Sequence, residues 1–163
     1  MSSCCTHTGC SSTLDAASDL CPACGAKGIS VDPITLKALL TPDGLRRGVP
    51  PDPRYCPNAN CQTVYFDRAA GVVFRETDLI VPVHAKQPDS DVVPVCYCFG
   101  YTEQSIRDEM ERTGASTATT SITAEVKAGR CACEVKNPKG SCCLGDVARV
   151  ERRIASRLTL TTS

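Results

Sequence analysis

The residues of this chain able to do chemistry are its cysteines, 13 among 163 residues. Six of them lie in one stretch, residues 94–147. It opens with P-V-C-Y-C-F-G, carrying Cys96 and Cys98, and closes with C-A-C-E-V-K-N-P-K-G-S-C-C-L-G-D-V, carrying Cys131, Cys133, Cys142 and Cys143. One residue separates Cys96 from Cys98, so both side chains can point to the same side of a loop. Six thiols in two clusters suit a soft metal centre. A 2Fe–2S cluster takes four thiolates, two on each iron. A second zinc, or thiols that pair only on oxidation, are the alternatives. Pro94, Gly100, Gly140 and Gly145 would let backbone amides approach the sulfides. Cys143 stands just ahead of a helical pattern whose N-terminal dipole would stabilise an anionic cluster.

A second constellation precedes this one. Cys21-x-x-Cys24 and Cys56-x4-Cys61 offer four thiolates from two turns. A C-x-x-C turn aims both sulfurs at one tetrahedral ion roughly 2.3 Å away, and Pro and Gly help the backbone curl round it. Zinc suits four thiolates and can fold a domain that lacks a large core. With every position filled by protein such a zinc is structural. Buried free thiols, or a redox C-x-x-C, are the alternatives, and the thioredoxin-like βαβ context of the latter is missing.

Composition explains why metals are needed. The chain has no Trp, three Phe and four Tyr, thin material for an apolar core, so staples are expected. The first residues show no basic region followed by an apolar stretch, and no run of about 18 apolar residues occurs. A cysteine-dense chain without an export signal reads as cytoplasmic, with thiols on metals rather than on each other. Lys+Arg and Asp+Glu are both 18, for zero net charge, which disfavours nucleic acid as a partner. No nucleophile–base pair is visible. His7 and His84 read as ordinary surface residues.

The elements that must position the thiols follow from local pattern. Residues 1–20 read as a tail, residues 21–88 as a zinc-binding subdomain, and residues 89–163 as a cluster subdomain. The polar stretch K-Q-P-D-S-D-V-V from Lys86 marks the boundary. In the zinc half, Val31 to Leu40 suits a strand running into a short helix, and Pro42 a second helix after Thr41. Thr63 to Phe66 and V-V-F-R suit a hairpin turning at Ala70 and Gly71, with a third strand expected at Leu79 to Val83. In the cluster half, Thr102 can cap a helix with Ile106 and Met110 on one face, ended by Gly114. Ser121 can cap another, reaching Gly129. Leu144, Val147, Val150, Ile154 and Leu158 recur at helical spacing, with Arg149, Arg152, Arg153 and Arg157 on the solvated side. The fold class expected is α+β, a small β-rich zinc subdomain (treble-clef or ribbon-like) followed by a small, mostly helical 2Fe–2S subdomain.

These motifs, with C-P-A-C-G, I-T-L-K-A-L-L, Y-C-P-N-A-N-C and V-Y-F, resemble the N-terminal region of CopZ-type copper chaperones that carry an iron–sulfur cluster. The cluster stretch is more distantly similar to bacterioferritin-associated ferredoxin. The resemblance spans about residues 21–147 and implies zinc first and 2Fe–2S second. It implies Cys96 and Cys98 as two cluster ligands, with one more from Cys131/Cys133 and one from Cys142/Cys143. It favours Cys133 and Cys143, leaving Cys131 and Cys142 as neighbouring or metal-handing thiols. In the full-length chaperones such a region precedes a copper domain carrying M-x-C-x-x-C. Here the C-x-x-C is the one assigned to zinc, and Met1 and Met110 are not placed for that motif.

Cys4, Cys5, His7 and Cys10 suit a soft ion such as Cu(I) or Hg(II), against the plainer reading of an incidental thiol-rich tail. The function expected is a metallochaperone-like iron–sulfur protein, at most a metal-reducing electron carrier. It would pass single electrons, reducing Cu(II) to Cu(I) for a copper chaperone or a P-type exporter. The alternatives are a metal sensor or partner-binding module with structural centres, and a protein that transfers its cluster to apo-ferredoxins.

Overall fold

The computed structural model describes residues 19–161. The tail residues Cys4, Cys5, His7 and Cys10 lie outside them.

The first half is an antiparallel meander of β1 (Ile29–Ser30), β2 (Arg54–Tyr55), β3 (Thr63–Asp67) and β4 (Val72–Arg75), in that order. β3 is buried along its whole length, which its β-branched and aromatic content favours. Two short helices connect β1 to β2. In α1 (Pro33–Leu39) the Asp32 carboxylate accepts from the Ile34 amide at 2.8 Å, and in α2 (Pro42–Arg46) the Thr41 hydroxyl accepts from Gly44 at 3.1 Å. Both helices carry Pro at the first position, where no amide partner is needed. Val31, Leu36, Leu40, Tyr55, Val64, Tyr65, Phe74, Leu79 and Val83 form the core beneath the sheet. Gly28 crosses Phe66 so closely that a Cβ would sit 2.6 Å from the ring.

The second half pairs β5 (Pro94–Cys96) with β6 (Tyr101–Thr102) and then turns helical. α3 (Glu103–Thr113) starts with reciprocal hydrogen bonds between Thr102 and Ser105, each 3.0 Å, and stops at Gly114 in the left-handed conformation. α4 (Ala118–Lys127), the single-turn α5 (Cys133–Lys136) and the long α6 (Leu144–Thr161) follow. Ile106, Ala118, Ile122, Val147, Val150 and Ile154 are buried together with Val95, Cys96 and Cys143. Mixed helix and sheet thus divide unevenly along the chain. Among the described residues no helix is long and apolar enough to cross a membrane.

Several local expectations are corrected. Leu79 to Val83 form no strand: Leu79 makes one bridge to Leu40, and the Ile80 amide donates to the Leu39 carbonyl at 2.9 Å. β1 and β2 extend the sheet on the β3 side and β4 ends it, while Pro82 has no amide to offer a ladder. Ser121 lies inside α4, which starts after Thr117 and is tied at its first turn by the Thr119 amide donating to Glu151 at 3.0 Å. His84 does not end a strand but opens a 3-10 turn, His84–Lys86. It is no idle surface residue either, since its Nε2 lies 2.9 Å from Glu103. The arginines of α6 do lie on its solvated side, Arg149, Arg152, Arg153 and Arg157 all being exposed, and two of them form ion pairs from there, Arg153 with Glu103 and Arg149 with Asp146.

The two halves grip each other. α1 packs on α5, the Thr35 hydroxyl donates to Glu134 O at 2.6 Å, and the Tyr65 hydroxyl donates to Pro138 O at 2.7 Å. Burial opposes ionisation of Glu103, yet Arg153 and then His84 outweigh it and hold its carboxyl below the usual range. Glu103 thereby joins the zinc half's His84 to α3 and α6.

Candidate metal centres

The first centre is built by two turns stacked at one end of the meander. The Cys21 amide donates to Ala26 O at 2.8 Å, and Gly25, at φ +71°, donates to Cys21 O at 2.9 Å. That curl brings Cys21 and Cys24 to one side. Leu20 bridges Lys27, and Asp19 pairs with Arg54 at 2.9 Å, so the knuckle begins before Cys21. Cys56 leaves β2, its amide donating to Val64 O at 2.9 Å, and a turn closed by Cys61 on Asn58 O at 3.1 Å returns the chain. The sulfurs of Cys21, Cys24, Cys56 and Cys61 all lie within 4.8 Å of one another, with Cys21–Cys61 at 3.9 Å and Cys24–Cys56 at 3.6 Å. A tetrahedron of thiolates about 2.3 Å from zinc has edges of about 3.8 Å, so the donor set fits that ion.

Local electrostatics favour the thiolate at Cys24 and the thiol at Cys56. The Ala26 amide, and then the neighbouring thiols, pull Cys24 down to about 6 despite the burial that opposes it. Burial pushes Cys56 up to about 12, with the Asn58 amide and the Lys86 charge opposing. Lys86 stands over this turn, donating from Nζ to Cys56 O at 2.8 Å and to Asn58 O at 2.7 Å.

The second set of thiols is arranged differently. Cys98 and Cys133 lie 3.7 Å apart, and the Cys96 thiol neighbours that of Cys143 closely enough to perturb it. They are not gathered into one four-thiol cage of the zinc kind, because among the described residues the first centre alone brings three or more such ligand atoms within 4.8 Å of one another. Cys96, Cys133 and Cys143 are buried and Cys98 half-buried, whereas Cys131 is half-buried and Cys142 exposed, outside both pairs. Amides converge on the paired sulfurs: Ala132 donates to Cys98 at 3.4 Å, Cys143 to Cys133, and Phe99 and Cys98 to Cys96. The hydrogen bond from Cys143, then those amides, draw Cys96 down to about 6 against burial. Burial pushes Cys133 up to about 12, and the Cys96 contact with burial pushes Cys143 up as well. Two thiol pairs with amides aimed at the sulfurs fit a centre that takes two thiolates on each of two irons.

Comparison with known proteins sharpens this picture. Residues 18–80 match the CopZ-type zinc binding domain family. Over 146 residues the chain is 32% identical to the copper chaperone CopZ of Archaeoglobus fulgidus, covering 86% of this chain and 68% of that protein. The chain belongs to the CopZ copper chaperone family. The CopZ N-terminal domain of Archaeoglobus fulgidus, known from its X-ray structure, is 33% identical and superposes with a TM-score of 0.67. That match covers 80% of this chain and 96% of the CopZ domain. It reaches beyond the residues of the zinc binding domain match.

Residues that sequence reasoning passed over are those that join the halves: Thr35, Tyr65, His84, Tyr97 and Glu103. A tyrosine between two cysteines of a C-x-C motif, and a lone His before a polar linker, were the available signals.

Proposed function

We propose that this chain is a two-centre, metal-handling protein of the copper chaperone type. Cys21, Cys24, Cys56 and Cys61 hold a structural zinc; Cys96, Cys98, Cys133 and Cys143 hold a 2Fe–2S cluster. The observation that carries the reading is the arrangement of the second set as two sulfur pairs under amide hydrogen bonds, in a chain related to a copper chaperone. A cluster bound there supplies one-electron transfer, with a potential tuned by hydrogen bonds to sulfur and by burial. The substrate is a soft metal ion, with Cu(II) reduced to Cu(I) by one electron. The chain's own part is to hold four thiolates against their mutual repulsion, through the amides of Ala132, Cys143, Phe99 and Cys98. Cys131 and the exposed Cys142 stand beside the centre, where a thiophilic ion can be met. Copper acquired this way would pass to a copper chaperone or exporter in the cytosol, whose reducing conditions keep unligated thiols free.

The test is metal and sulfide analysis of protein purified without oxygen, with visible spectra before and after dithionite. About two irons and two sulfides per chain, about one zinc, and reversible bleaching are expected, followed by Cu(II) reduction by the dithionite-reduced protein. Colourless protein carrying zinc at both centres refutes the electron-transfer role and leaves a zinc-stapled binding module.

A further inference from the structure

Both loops that carry the second set of thiols are short of regular structure, and both are tied to the zinc half by hydroxyl groups. Tyr97 lies between Cys96 and Cys98. Its hydroxyl donates to Pro82 O at 2.9 Å and accepts from the His84 amide at 2.9 Å. His84 opens the turn closed by the Lys86 amide on Val83 O at 2.8 Å. The Nζ of that same lysine binds the carbonyls of Cys56 and Asn58. A continuous run of contacts therefore leads from a zinc-site cysteine to the C-x-C loop.

A second run leads to the other loop. The Cys56 amide binds Val64 O in β3, and the next residue, Tyr65, donates its buried hydroxyl to Pro138 O at 2.7 Å. Thr35 adds its 2.6 Å bond to Glu134 O, and Gly140 lies against Thr35 and Val31. Within that loop Asn137 donates from Nδ2 to Ser141 O at 2.7 Å and accepts from the Lys139 amide at 3.1 Å. The tether thus extends to the residue before Cys142 and Cys143.

We propose that the zinc knuckle is the template on which the second centre is held, with Tyr97 and Tyr65 as its positioning residues. The inference rests on the two-centre reading above. Each tyrosine serves one thiol-bearing loop, so the loops are positioned separately. Linkage makes the coupling reciprocal: filling the second centre tightens zinc binding, and losing zinc loosens the second centre.

Hydrogen exchange on the full chain tests this without any cluster present. Zinc-loaded protein is compared with protein stripped by a chelator and with zinc-loaded Tyr97→Phe and Tyr65→Phe. Zinc removal is expected to speed exchange several-fold at residues 94–100 and 132–143 while the middle of α6 keeps its protection. Tyr97→Phe, which loses both hydroxyl hydrogen bonds, should speed the first segment alone and Tyr65→Phe, which loses one, the second alone, each by about two- to tenfold. Should zinc removal unfold α6 as well, the two zinc-loaded variants decide. Loops that exchange alike in both variants and the parent protein overturn the proposal. Iron and sulfide content judges the cluster separately: exchange coupled as described in a protein that never takes up iron keeps the template and refutes the cluster.

Discussion

Gly140 offers the sharpest test of how the halves fit. It sits at φ +64°, and an added Cβ would lie 2.9 Å from Thr35 Oγ1 and 3.0 Å from Val31 Cγ1. Gly140→Ala therefore carries two costs: about 1 kcal/mol for a left-handed backbone, and about 1–3 kcal/mol for forcing a methyl into a filled interface. A stiffer unfolded chain offsets about 0.5–1 kcal/mol, for a net loss of about 1–3.5 kcal/mol. Gly114→Ala is the control, since Gly114 has φ +82° with nothing within 4 Å of its missing Cβ. It bears the backbone cost alone and should lose less than about 1 kcal/mol. Urea unfolding of the zinc-loaded variants, followed by circular dichroism, measures both. Adding Thr35→Ala should make Gly140→Ala milder than in the parent background, because one of the two closest contacts disappears. Equal losses for the two glycine variants would refute the claim that the 134–140 segment is seated tightly on α1.

Other perturbations separate the remaining arguments. Tyr55 has a buried hydroxyl without a hydrogen-bond partner among the described residues, so Tyr55→Phe should be neutral or stabilising by up to about 1 kcal/mol, and Tyr65→Phe destabilising by a similar amount; thermal melts of both decide. Glu103 has its carboxyl held down by Arg153 and His84, so its stabilisation is present above the unfolded value of about 4.3 and lost as pH falls through the lower folded value. The stability gap between parent and Glu103→Gln, measured by denaturant titration, should hold near neutral pH and shrink in acid; a gap that widens there contradicts the assignment. Replacing Cys133 or Cys143 by Ser should abolish iron uptake, whereas Cys131→Ser and Cys142→Ser should retain it, as read by iron and sulfide analysis. Retention by Cys143→Ser with loss in Cys142→Ser would reassign the ligands.

What could be read from the sequence was local. Thr41, Thr102 and Gly114 mark helix ends through side-chain caps and a left-handed stop that neighbouring residues dictate. The hairpin at Gly71 follows from β-branched and aromatic runs on either side. The Cys21/Cys24 and Cys56/Cys61 pairs announce themselves by spacing within turns. The failures involve choices settled at a distance. Leu79 to Val83 have strand composition, but Leu79 and Ile80 are held by Leu40 and Leu39 at the end of α1 rather than by a neighbouring strand. Ser121 is a good cap that loses to a start at Ala118, where the next residue, Thr119, meets Glu151 of a later helix. The bond between Thr35 and Glu134 joins residues 99 apart, and no window on the sequence contains both.

The layout of the two thiol sets along the chain also bears on synthesis at the ribosome. The four cysteines of the first centre and the whole meander are complete by Arg75, whereas the second set awaits Cys143. Domains generally fold N-terminal part first as the chain emerges. The knuckle can therefore close while the last thiols are still being made, with Tyr65 and Thr35 already in place to receive their carbonyls. Supply of zinc during translation, rather than supply of iron, would then limit the yield of correctly assembled protein.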